Sequence, residues 1–240
     1  MARSGFLAGL GVLALASLAL AGCATPSGGS TSPEPTPTQT LEPDPDLGAA
    51  WLDDGRMIGL VTLGSSTCVP QADQVQLADD VLHVTLAKPD TTQACTRDLV
   101  PRATLVTVPK DVDPEKNLQI EVTGDNYFGR VELDGVAGLA PGGATDYLPS
   151  AGWATAKGQF VILTWGSSTC IPVIQDVAAT GPAEVKVTYQ TPPENQVCTM
   201  DMTPRAAVTA VNALQDDTGV QLILTGDEFD NVKIPIYGTN

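Results

Sequence analysis

Residues 57–68, MIGLVTLGSSTC, and residues 159–170, QFVILTWGSSTC, decide the fold. Each begins as a run that is apolar at consecutive positions, as in a strand buried on both faces. Each run therefore predicts a central strand. The same five residues, Gly64 to Cys68 and Gly166 to Cys170, close both runs and read as the turn that leaves the strand.

The identity extends outward in both directions. Trp51 stands seventeen residues before Cys68, as Trp153 does before Cys170. Downstream, CTRDLVPRA from Cys95 matches CTMDMTPRA from Cys198, and LQIEVTGD ending at Asp125 matches VQLILTGD ending at Asp227. The offset of 102 residues changes by one and returns, as a one-residue loop difference requires. Two tandem repeats follow, 50–136 and 153–240, joined by a Gly/Ala/Pro-rich linker over 137–152. Within each, apolar residues alternate with period two between turn signals such as Ala78-Asp79-Asp80 and Thr123-Gly124-Asp125. Strands are predicted near 57–63, 72–78, 81–87, 103–108, 117–123 and 128–134, and near 159–165, 174–179, 183–189, 206–211, 219–225 and 231–237. No window of helical length outside the N-terminal run carries an i, i+3, i+4 stripe. The expected fold is all-β, two small sandwich or barrel-like domains in tandem.

The N-terminus predicts an exported chain. Arg3 precedes an apolar run from Phe6 to Leu20, and Leu20-Ala21-Gly22-Cys23 reads as a lipobox. Residues 1–22 are then a lipoprotein signal peptide, and Cys23 is the residue that takes a diacylglyceryl group. Two acyl chains hold a protein on a membrane without crossing it. Residues 23–49 are rich in Pro, Ser and Thr, with Leu41 and Leu47 as the bulky apolar side chains. Such a segment reads as a disordered linker and spans up to about 80 Å at roughly 3 Å per residue.

Charge narrows the partners. The chain has 12 basic and 28 acidic residues. Without Arg3, 28 acidic residues face 11 basic ones, an excess of about seventeen negative charges that excludes a nucleic-acid partner.

One of the five cysteines goes to lipid, leaving Cys68, Cys95, Cys170 and Cys198. An even remainder in an exported chain points to disulfides. The repeat selects Cys68 with Cys95 and Cys170 with Cys198, because each copy then holds one complete pair. Separations of nearly thirty residues do not match a four-cysteine metal site. No cofactor or metal is expected.

Nucleophilic chemistry at the GSSTC serines would require a base, and the chain has one histidine, His83. It alternates with Leu82, Val84 and Leu86 and is expected to face solvent, while copy two offers Lys186 near that place. A Ser/His/Asp set could exist in one copy only, and no catalytic residue is assigned. Asp111, Asp113, Glu115 and Asn117 alternate as calcium ligands do but lack the glycine and the terminal glutamate of such loops, and they read as an acidic turn. Asp98 with Arg102, and Asp201 with Arg205, stand four apart around a proline. They suit either a local ion pair or backbone hydrogen bonds holding the loop, ahead of a grip on an anionic ligand. Trp165 replaces Leu63 in the central strand and is expected in a core.

The lipobox, the Pro/Thr stalk and the duplicated W…GSSTC…CTxDxxPR…TGD pattern together resemble uncharacterised surface lipoproteins of actinobacteria. The resemblance implies a lipid-anchored protein on the outer face of the cytoplasmic membrane in a Gram-positive type envelope. It brings no activity, ligand or catalytic residue. The expected function is a non-enzymatic binding or display module that meets a protein or envelope polymer. A structural role in envelope assembly comes next, and a hydrolytic enzyme last.

Overall fold

Trp51 and Trp153 lie on short strands that the alternation rule does not find. In the computed structural model, which describes residues 42–88, 92 and 94–240, they belong to β1 (Gly48–Leu52) and β8 (Ser150–Trp153). GAAWL and SAGW are too short and too rich in small residues to alternate, yet all of their residues are buried. Burial on both sides removes the period-two signal. Both copies thus have seven strands. The first continues with β2 (Met57–Gly64), β3 (Gln71–Ala78), β4 (Val81–Ala87), β5 (Val100–Thr107), β6 (Leu118–Gly124) and β7 (Tyr127–Leu133). The second continues with β9 (Gln159–Gly166), β10 (Ile174–Gly181), β11 (Glu184–Tyr189), β12 (Thr203–Ala210), β13 (Gln221–Gly226) and β14 (Phe229–Tyr237). The fold is all-β. Among the described residues the one helical element is a 3-10 turn at Asp53–Gly55.

The body begins earlier than the expected end of the linker at residue 49. Arg130 N donates to Glu42 O at 3.2 Å, and Asp44 N donates to Arg130 O at 3.1 Å. Leu47 is buried in the first core and β1 opens at Gly48. One apolar side chain among prolines reads as linker, but β2 supplies a neighbour for its backbone: Gly48 to Leu52 pair antiparallel with Val61 to Met57. Residues 1–41, including Cys23, lie outside the described residues.

In the first copy β1, β2 and β5 form one antiparallel sheet, and β3, β4, β6 and β7 form another, in which β4 and β6 are parallel. In the second copy the corresponding strands run on as one seven-stranded sheet. β14 reaches β8 through the pairs Ile236–Ala151 and Tyr237–Gly152. Two-residue turns with left-handed backbone, Asp79-Asp80 (φ 52° and 62°) and Asp125-Asn126 (φ 44° and 67°), close the hairpins β3–β4 and β6–β7.

The doubly apolar central strand serves two cores. Ile58 and Leu60 of β2 pack with Trp51 against Leu82, Val84, Ile120 and Val122. Phe160 and Ile162 of β9 pack with Trp153 against Val185, Val187, Leu222 and Leu224. The alternate residues of the same strands point the other way. Val61, Val161 and Leu163 form a third core with Ala50, Leu52 and Ala154. This layer joins the copies, with β1 against β8 and β5 against β12. At its centre a Cβ on Gly59 would stand 2.8 Å from Val161 Cγ1, so only glycine lets the valine seat there.

Two tandem domains would each cover their own apolar faces. Here, among the described residues, the second face of β2 and that of β9 are covered by each other's copy in the third core, and Thr40–Asn240 forms one compact unit. Full burial of a Val or Leu side chain contributes about 1.5–3 kcal/mol, which holds the copies together at the third core.

Candidate functional site

Three sequence motifs far apart in the chain meet at one end of each copy. GSSTC leaves β2, CTRD precedes β5, and TGD forms the turn between β6 and β7. The bridge Cys68–Cys95, with 5.4 Å between Cα atoms, ties the first two together, and Cys170–Cys198, at 5.5 Å, does the same in copy two. The pairing is the one expected from the repeat.

Beside the bridge the hydroxyl groups form a directed chain. Thr96 Oγ1 donates to Asp98 Oδ1, so its single proton is committed. Ser65 Oγ, 2.8 Å from Thr96 Oγ1, is therefore the donor in that pair. Ser66 N also donates to Asp98 Oδ1 at 3.1 Å, and Thr96 N donates to Thr67 Oγ1 at 3.0 Å. Copy two repeats the arrangement: Ser167 Oγ lies 2.8 Å from Thr199 Oγ1, Thr199 donates to Asp201, and Ser168 N donates to Asp201 at 3.1 Å. Donors converging on one carboxylate favour its charged form. Thr96 and then Ser66 lower Asp98 to about 2, and Ser168 and then Thr199 lower Asp201 to about 2.

Of the two uses open to the Asp/Arg pairs, the loop-holding one is found for the arginines, while the aspartates turn to the hydroxyl chain. Arg102 is 9% exposed and Arg205 7%. Arg102 donates to Ser65 O at 3.1 Å, to Cys68 O, and through Nε to Thr62 Oγ1 at 3.4 Å. Arg205 donates to Cys170 O at 3.0 Å and Trp165 O at 2.9 Å, and through Nε to Thr164 Oγ1 at 3.3 Å. The countercharge comes from the β6–β7 turn in copy one and from the β13–β14 turn in copy two, from the TGD aspartate in the first and from the residue after TGD in the second. Arg102 pairs with Asp125 at 3.7 Å, and Arg205 pairs with Glu228. Buried guanidinium groups need such partners. The glycine of GSSTC makes room for them, because a Cβ on Gly64 would stand 2.4 Å from Arg102 Cζ, and one on Gly166 2.8 Å from Arg205 Nη1.

His83 stands apart from this constellation. It lies on β4, where Nδ1 is 3.2 Å from Glu121 Oε2 of the adjacent β6. The acidic turn is held from within and from β7: Lys116 pairs with Asp113 at 2.9 Å, and Asn117 Nδ2 donates to Glu132 on β7 and to Asp134 just after it, each at 3.1 Å. Among the described residues no group of three His, Cys, Asp or Glu side chains is placed to hold a metal ion. Trp165 is only partly buried, against the third core, and meets Tyr147 edge-on at 5.1 Å.

The sequence does not reveal that the turn carrying TGD supplies the countercharge for PR, through Asp125 in copy one and through Glu228, just after TGD, in copy two. The separation of more than twenty residues hides the contact, and the acidic residue that makes it differs between the copies. Compared with protein families, curated proteins and solved structures, the chain matches none.

Proposed function

We propose that the protein is a lipid-anchored module of the cell envelope that binds another macromolecule and does no chemistry of its own. In this reading Cys23 carries the lipid, residues 24–41 form the stalk, and the body is held outside the cytoplasmic membrane, as in the actinobacterial lipoproteins it resembles. Each repeat acts as a sandwich-like half of that body.

The observation that supports a non-catalytic role is the state of the motif hydroxyls. In both copies the Ser, Thr, Asp and Arg side chains satisfy one another and the backbone of the cysteine loop. Ser65 and Ser167 face threonine hydroxyls, and His83 is paired with Glu121. A nucleophile needs a base within hydrogen-bond reach; these serines have threonine there instead.

Metabolic labelling with a fatty-acid analogue tests the anchor. Label is expected in the wild-type chain and lost in Cys23→Ser, and equal label in both would overturn it. A serine-reactive phosphonate probe tests the absence of catalysis, and labelling at Ser65 or Ser167 that disappears on mutation would replace this reading with a hydrolase.

A further inference from the structure

The two bridge ends have the same skeleton and different surfaces. Five large apolar side chains lie within four residues of the Cys170–Cys198 bridge and are exposed: Ile171, Val173, Val197, Met200 and Met202, with Val197 at 90% and Met200 fully open. The matching positions of copy one are Val69, Gln71, Ala94, Arg97 and Leu99. Copy two has thus exchanged a glutamine and an arginine for apolar residues on a surface where water penalises them.

A cleft of about 590 Å³ opens beside the bridge, lined by Ile171, Val173, Pro192, Pro193, Asp227 and Glu228 among others. Its charge is negative. The arginine at its floor, Arg205, is spent on Glu228 and on backbone carbonyls. Asp201 lies between the two methionines, and the hydroxyl chain keeps it ionised. Copy one has Arg97 in place of Met200 and Asn126 in place of Glu228, so the acidic and apolar character belongs to copy two.

From these features we infer that the Cys170–Cys198 end of copy two is a docking site for a peptide segment of another protein that carries apolar side chains flanked by lysine or arginine. Methionines re-pack around differently shaped apolar groups, the cleft admits the side chains, and Asp201 and Asp227 supply the complement for the basic ones. A second copy of this chain is the poorer occupant, because self-association through this end would set these carboxylates against their own images. An anionic lipid surface is repelled by a chain of formal charge −16. The inference rests on the binding reading above and adds its location and partner chemistry.

The test uses residues 24–240, which carry no lipid and keep the whole compact unit Thr40–Asn240, with three labelled twelve-residue peptides, alternating Leu/Lys, Leu/Glu and Ser/Lys, read by fluorescence anisotropy. Saturable binding of the Leu/Lys peptide alone is expected, weakened about tenfold or more in the double variant Met200→Ser, Met202→Ser. These side chains are exposed, so the variant keeps its fold, and circular dichroism checks it. Leu99→Ser, the change at the matching place in copy one, should leave binding unaltered. Equal binding of the Leu/Glu or Ser/Lys peptide overturns the proposal, as does unchanged affinity in the double variant. A dimer in sedimentation that the double variant abolishes, or cosedimentation with phosphatidylcholine vesicles, also overturns it in favour of self-association or lipid. If the peptides fail while crosslinking on intact cells captures a partner through another surface, the site assignment falls and the binding-module reading stands.

Discussion

Tyr237 donates its hydroxyl proton to Asp54 Oδ1 at 2.7 Å, joining the last strand of copy two to the turn that follows β1 in copy one. Burial, and then the neighbouring carboxylate, hold this phenol above its ordinary value of 10.0, and burial does the same to Tyr189. Both groups keep their protons more tightly folded than unfolded. The stability they contribute is whole below pH 10 and is lost as the pH climbs toward their folded values. Tyr237→Phe should cost about 1 kcal/mol at neutral pH and flatten the alkaline fall in stability, leaving the part due to Tyr189. Urea midpoints measured from pH 7 to pH 11 decide this.

The acid limb belongs to Asp98 and Asp201. Both titrate near 2 when folded against an ordinary 3.8. A depressed carboxylate stabilises above its unfolded value, and that contribution disappears as the pH drops through the folded one. Thermal midpoints should therefore fall between about pH 4 and pH 2. Asp98→Asn with Asp201→Asn should shallow that fall, and an unchanged acid profile would remove these carboxylates from the account.

Room for the guanidinium makes the glycine of GSSTC irreplaceable by even a methyl group. Gly64→Ala and Gly166→Ala should each destabilise by about 1–3 kcal/mol, the usual cost of overpacking. Ser65→Ala, which removes one hydroxyl and adds no volume, should cost nearer 1 kcal/mol. Chemical denaturation gives the ranking, and a Gly64→Ala protein as stable as wild type would contradict the packing of Arg102.

Shared burial predicts shared unfolding. Val161→Asp places a charge where Val161 meets Gly59 and should destabilise by about 3 kcal/mol or more. It should also lower both halves together. Separate probes are at hand, Trp51 in copy one and Trp153 with Trp165 in copy two. Distinct transitions for the two sets of tryptophans would show that the halves unfold alone.

Alternation and turn residues made twelve of the fourteen strands legible, because each of those strands has one face turned to a core or lies between clear turns. β1 and β8 escaped because they are short and buried on both sides, and Leu47 escaped because its neighbours are prolines. The cysteine pairing could be read from the repeat, but the destination of Arg102 could not. Asp98 stands four residues away in sequence, whereas Asp125 reaches the guanidinium only because β6 and β7 return to the same end of the sheet. Doubly apolar β2 announced a buried strand. That the second cover is the other copy follows only once Val161 is seen above Gly59.

That third core is made of matching faces, β1 to β8 and β5 to β12. It is the arrangement of a two-fold homodimer written into a single chain. A true dimer falls apart on dilution, whereas covalent linkage fixes the local concentration of one half for the other. Such a chain keeps its paired form at any concentration, and under the anchored reading proposed above it would do so at any surface density. Its halves, no longer obliged to be identical, are free to differ, as Met200 and Arg97 do.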